Sequence, residues 1–209
     1  WSEGFGFSDL EQGIRATPHT RFRVASVSKS LTSVALGQLV EQGRIDLDAP
    51  IQRYVPSFPE NRWPISIRQL AGHLAGIRHY RGDEFILMRH YDSLLEGLTS
   101  FADDSLLFEP GTRYSDSSYG WNLISAAIES ASGEPFLGYM AHHVFGPAGM
   151  IGTVPEFADS ILPDRAHYYI PQDAGAPAPN APSAAHRHNW AGGGFPPPRE
   201  ARARFAPLP

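Results

Sequence analysis

The chain has 209 residues and a formal net charge of −5, enough for one domain of ordinary size or two small ones. Hydrophobic residues make up 42% and aromatics 11%, so a core can form; no long basic run offers nucleic acid an electrostatic footprint. Cysteine is absent, which excludes disulfides and cysteine-based metal sites, and no apolar run approaches the length of a membrane span.

Trp1 to Phe7 alternates with glycines and predicts a strand with a close backbone contact. Thr17-Pro18-His19-Thr20 reads as a turn. A helix is expected from Ser26, with Leu31, Val34, Ala35, Leu39 and Val40 at helical spacing and Gly43 at its end. Ile45 to Pro59 is broken by prolines and reads as a loop. Ser66 can cap a short helix through Ile67, Leu70 and Ala71, and His73 to Tyr80 is a turn. Phe85 to Phe101 is expected to be helical, Pro110-Gly111 a turn, and Tyr119 to Ala131 a helix closed by Ser132-Gly133. Phe136 to Val144 predicts another helix, and 171–183, rich in Pro, Ala and Gly, a loop. From Phe195 onward, Pro196-Pro197-Pro198 and an Arg/Ala run allow neither a helix nor a central strand, and disorder is expected.

Lys29 is the only lysine; every other cationic side chain apart from histidine is arginine. It lies three residues after Ser26 in Ala25-Ser26-Val27-Ser28-Lys29-Ser30, which on a helix puts both side chains on one face. The plain reading is a helix start, with Ser26 as N-cap and Lys29 as solvated charge. The chemical reading is a lysine that deprotonates a serine nucleophile, which needs a group able to lose its proton when desolvated or near another cation. Two facts favour the second. A lone lysine is not generic surface charge where arginine does that everywhere else. A cation in the first helical turn also meets the helix dipole with the wrong sign, and the same field lowers its pKa and favours an alkoxide.

Five segments then fall in a fixed order. They are Trp1-Ser2-Glu3-Gly4-Phe5-Gly6-Phe7-Ser8-Asp9, Phe22 to Thr32 around Ser26 and Lys29, His73-Leu74-Ala75-Gly76-Ile77-Arg78-His79-Tyr80, Pro110 to Glu129, and Trp190-Ala191-Gly192-Gly193-Gly194-Phe195. Together they resemble the serine beta-lactamase-like and penicillin-binding hydrolases. The nearest branch is the one holding class C beta-lactamases, their esterase relatives and the mitochondrial serine beta-lactamase-like protein. The resemblance implies an α/β (α+β) fold, a helical domain beside an antiparallel sheet that is largely missing here. It implies a partial family domain over 1–195 and a non-family tail over 196–209. It implies Ser26 as acyl-forming nucleophile, Lys29 as its general base or relay, and the Ser26 N–H as half of an oxyanion hole. Ser118, Gly193 and Gly194 fall at the substrate side of the cleft. No metal or organic cofactor is implied.

Two departures from the pattern follow. The family's second motif carries a tyrosine that relays protons to the leaving group. One register here takes Tyr114-Ser115-Asp116 as that motif. The other keeps the Pro-Gly turn and the Tyr119-Gly120-Trp121-Asn122-Leu123 helix in step without a gap, and puts Asp116 at the tyrosine position. The gapless register is preferred, because a two-residue shift would rotate the helix's buried face. An aspartate beside Lys29 is expected to hold the ammonium protonated and raise its pKa, against a general base. The third motif, Lys/His-Thr/Ser-Gly, is absent, and the expectation is a C-terminally truncated domain with exposed apolar surface and strand edges.

The expected activity is acyl-enzyme hydrolysis of an ester, amide, peptide or lactam bond, weak or absent in this chain. The competing class is a non-catalytic or self-assembling protein, as members of the mitochondrial branch can self-associate. The expected partner is a small-molecule or peptide substrate, with neither nucleic acid nor a membrane span. The start at Trp1 suggests a missing native N-terminus; no signal peptide is visible, and bacterial relatives lean the compartment toward export. Among the nine histidines no H-E-x-x-H occurs, and solvation or capping is the expected role. His142 and His143 are expected on different sides of their helix.

Overall fold

The structure is a computed structural model that describes residues 2–86, 91–150, 152–155, 161–172, 178–181 and 191. It opens with an antiparallel hairpin of β1 (Phe7–Asp9) and β2 (Ile14–Arg15), paired Phe7 to Arg15 and Asp9 to Ile14 across an irregularity. The strand expected over Trp1 to Phe7 therefore starts where that stretch ends. Gly6, at φ +73°, turns the chain out of the extended run. Gly4 does make the expected close contact: a Cβ there would stand 2.3 Å from the Ala16 carbonyl oxygen.

Helix α1 (Val27–Glu41) buries Leu31, Ala35, Leu36 and Leu39 on one face. Val34, expected in that stripe, is half-exposed, and Leu36 takes the place in the core. Gly43, at φ +68°, follows the helix in the left-handed conformation that ends it. The proline-broken segment after it is not loose: Ile45, Ile51, Tyr54, Val55 and Phe58 are buried, around a 3-10 turn at Ile51–Arg53. Helix α2 (Ile67–Ala71) starts with a full capping box. The Ser66 side chain accepts from the Gln69 N–H, and the Gln69 side chain accepts from the Ser66 N–H.

The single helix expected over Phe85 to Phe101 is instead a 3-10 helix, Gly82–Ile86, and a separate α3 (Leu94–Leu98), with 87–90 outside the described residues. Extended backbone at Ser93, φ −145°, restarts the helix, and the Ser93 side chain caps it by accepting from the Glu96 N–H.

Helix α4 (Ser118–Ser132) is the centre of the molecule. Residues 118–128 are all buried, so it is covered on every side, and it packs against α1, α2, α3 and α5 (Phe136–Tyr139). Gly133, at φ +70°, closes it. Helix α5 runs on as a π-wound turn, Met140–Phe145. This corrects the expectation for His142 and His143. Their nitrogens reach the two oxygens of one carboxylate, Glu134, at 3.6 and 3.0 Å. A π turn rotates the chain less per residue than an α turn, so consecutive side chains stay closer in direction.

The described part is thus mixed helix and sheet, with the helical half dominant. Phe5, Phe7, Leu10 and Ile14 of the hairpin region are exposed. Among the described residues no helix is long and apolar enough to cross a membrane. The tail over 196–209 lies outside the described residues.

Candidate active site

The chain enters α1 under backbone strain. Ala25 sits at φ +44°, a left-handed conformation that a side chain disfavours, immediately before Ser26. Three short-range bonds wind the first turn tightly: Val27 N–H to Val24, Ser28 N–H to Ala25 and Lys29 N–H to Ser26 carbonyls, at 3.0–3.1 Å. Ser26 occupies the N-cap position without a side-chain cap bond. Its exposed hydroxyl oxygen instead accepts from Lys29 Nζ at 2.9 Å. The plain reading of the pair, a capping serine and a solvated lysine, is therefore not what the fold builds. Lys29 is 8% exposed.

The turn after α2 supplies the opposite wall. His73 is itself left-handed, at φ +59°. Its carbonyl accepts the Ser115 N–H and its Nδ1 accepts the Ser117 N–H, both at 3.0 Å. His79 Nδ1 accepts the Ser118 N–H at 3.1 Å. Ser117 completes the junction: its hydroxyl accepts from the Gly120 N–H and donates to the Arg78 carbonyl at 2.8 Å. Two imidazoles and a serine thus satisfy the first N–H groups of α4. Accepting at Nδ1 puts the proton of each neutral ring on Nε2. The His73 Nε2 atom lies 3.4 Å from Asp116 Oδ1 and 3.3 Å from the Trp121 indole nitrogen.

Asp116 is the hinge of the cluster. Oδ1 lies 3.8 Å from Lys29 Nζ, and Oδ2 lies 3.9 Å from His79 Nδ1. Its side chain is 49% exposed, so it faces the open side of the cleft while Lys29 is enclosed. Tyr114, the group offered by the other register, is 69% exposed and presents its ring edge-on to His73 at 5.7 Å. Ser118 is buried, at 3% exposed, and its backbone N–H meets the site through His79. Gly193 and Gly194 lie outside the described residues.

Burial pulls the Lys29 pKa down, and the Asp116 charge pulls it up by less; the balance falls below the ordinary lysine value. Asp116 acts in the expected direction, but burial outweighs it: the sequence showed the carboxylate and not the depth of the ammonium. His73 and His79 are pushed down as well, first by burial, with Asp116 opposing and Lys29 adding to the depression.

Arg78 braces the turn from behind. It is 6% exposed and bonds Glu84 through both terminal nitrogens, Asp104 through Nε, and the Ser100 and His79 carbonyls. Burial alone would lower its pKa, and the two carboxylates reverse that. Among the described residues no group of three or more His, Asp or Glu side chains is arranged to hold a metal ion. In this cluster both histidine Nδ1 atoms already accept backbone N–H groups.

The model of the family described as Beta-lactamase matches residues 1–202. The chain belongs to the beta-lactamase family. The mitochondrial serine beta-lactamase-like protein LACTB of Homo sapiens is 31% identical, across 93% of this chain and 48% of its own length. The putative penicillin-binding protein PbpX of Bacillus subtilis (strain 168) is 34% identical over 71% of this chain and 36% of its own. The crystal structure of a penicillin-binding protein from Bacillus halodurans superposes with a TM-score of 0.79 at 27% identity, covering 96% of this chain and 62% of that one. The chain spans about half the length of LACTB. Within this beta-lactamase-family chain, the two histidine caps are what sequence reasoning missed. The signal available was a pair of histidines flanking the predicted turn, and capping was among the roles expected for histidine.

Proposed function

We propose that this chain performs serine acyl transfer, hydrolysing an ester, amide, peptide or lactam bond through an acyl-enzyme on Ser26. The observation that carries the reading is Lys29: enclosed, depressed in pKa and 2.9 Å from the Ser26 hydroxyl. A lysine in that state can accept the serine proton at a pH where an exposed one cannot.

Ser26 Oγ attacks the substrate carbonyl and its proton passes to Lys29 Nζ. The ammonium so formed meets the Asp116 carboxylate at 3.8 Å. Asp116 thus stabilises charge that appears on the base during the step, as the aspartate of a serine–histidine–aspartate triad stabilises its imidazolium. The Ser26 N–H, at the positive end of α1, faces the developing oxyanion. Lys29 returns its proton to the leaving group as the tetrahedral intermediate collapses. It then takes one from the water that attacks the acyl-enzyme and passes it to Ser26 Oγ as the acyl–oxygen bond breaks.

The test is intact mass after incubation with a fluorophosphonate. The reading predicts one adduct, lost in Ser26→Ala and slowed at least about 100-fold in Lys29→Ala. A folded chain that gains no adduct, or one labelled equally without Ser26, overturns it and leaves a non-catalytic member of the family.

A further inference from the structure

The position next to the serine–lysine pair carries an anion. Asp116 is two contacts from the nucleophile, through Lys29 Nζ, and half of its side chain is open to solvent. The basic side chains within 4 Å of its carboxylate, among the described residues, are Lys29 on α1 and His73 and His79 in the turn. Both imidazoles spend Nδ1 on accepting backbone N–H groups, which requires them neutral. Lys29 must be neutral to take the serine proton. The reactive state of the cluster therefore has a net charge of −1, all of it on Asp116. Tyr114, two residues before Asp116 and edge-on to His73, is exposed, as is Val27, next in sequence to Ser26. Exposed apolar residues thus flank Ser26 and Asp116 in sequence, and the carboxylate is the charged group that remains.

We propose that Asp116 is a charge filter for substrate: the site accepts acyl groups that are neutral or cationic near the scissile carbonyl and rejects those carrying a carboxylate there. The inference rests on the acyl-transfer reading above and names its substrate class. A carboxylate brought beside Asp116 meets an uncompensated like charge in a partly desolvated cleft, whereas an ammonium meets an opposite one with an aromatic ring at hand. The effect is electrostatic and so is screened by salt.

Three p-nitrophenyl esters of matched chain length test it: caproyl (neutral), aminocaproyl (cationic) and adipoyl (anionic), each corrected for the rate with Ser26→Ala. The expected order of kcat/KM is cationic at or above neutral, and neutral above anionic. The cationic-to-anionic ratio should be about tenfold or more at low salt and shrink as salt rises. In Asp116→Asn the ratio should fall toward one whatever happens to the absolute rate; Asp116→Glu should keep it. An anionic ester turned over as fast as the neutral one overturns the filter while leaving acyl transfer standing, as does a ratio unmoved by Asp116→Asn. If none of the three esters is turned over in a Ser26-dependent way, the acyl-transfer reading falls and the filter falls with it.

Discussion

At Lys29 two opposing effects act on one ammonium. Burial disfavours its charge and Asp116 favours it, and burial wins. Replacing Asp116 with asparagine removes the opposing effect, so the Lys29 midpoint should move further down. The same change removes the partner of the ammonium formed in the step. Above the midpoint, Asp116→Asn should therefore label with fluorophosphonate about tenfold more slowly, the equivalent of about 1.4 kcal/mol. The measurement is labelling rate against pH for both proteins; a midpoint that rises in Asp116→Asn contradicts the assignment. The pairing of Ser26 with Lys29 was legible from a three-residue spacing at a helix start. The direction of the Lys29 shift was not, because it depends on enclosure by elements distant in sequence.

Helix α4 shows what was hidden at the scale of an element. Its extent followed from apolar pattern and the Ser132-Gly133 stop. Its N-terminal caps came from the turn, 44 and 39 residues away in sequence, where no local signal reaches. Ser117, by contrast, caps locally, and Ser117→Ala should cost about 1 kcal/mol, read as the shift in a denaturant midpoint at constant slope. The histidine caps add a pH dependence. Folded His73 and His79 titrate below the ordinary histidine value, so as pH falls through about 6.5 the unfolded chain takes up protons first. Stability conferred by the neutral rings is full above that pH and is lost below it, as each Nδ1 becomes a donor facing another donor. Thermal melts should show a decline beginning near pH 6.5, above the range where depressed carboxylates such as Glu84 begin to protonate. A melting temperature flat from pH 7 to about pH 5 contradicts this.

Across the whole molecule, one buried cation links parts of the chain that carry the site's wall. Arg78 joins the turn to Glu84, to Asp104 and to the end of α3 through the Ser100 carbonyl, and it lies over the Tyr119 ring at 5.0 Å. Arg78→Ala leaves two carboxylates facing each other without it and should cost about 3–5 kcal/mol in urea unfolding. Loss below 1 kcal/mol would mean that the clamp is solvated and the turn stands on other contacts. The family order of segments was readable at this scale because each holds short-range chemistry: a serine and lysine one turn apart, a histidine turn, a capped helix. The strand and the long helix expected over Phe85 to Phe101 failed for local reasons, a left-handed Gly6 and an extended, capping Ser93.

The central claim is that Lys29 is the base for Ser26. The direct measurement is the pH profile of Ser26 labelling by a fluorophosphonate, in the parent chain and in Lys29→Ala. The account predicts a rate that rises with pH to a plateau, with a midpoint below the ordinary lysine value of 10.5, and a rise that disappears when Lys29 is removed. A profile unchanged by Lys29→Ala would contradict it.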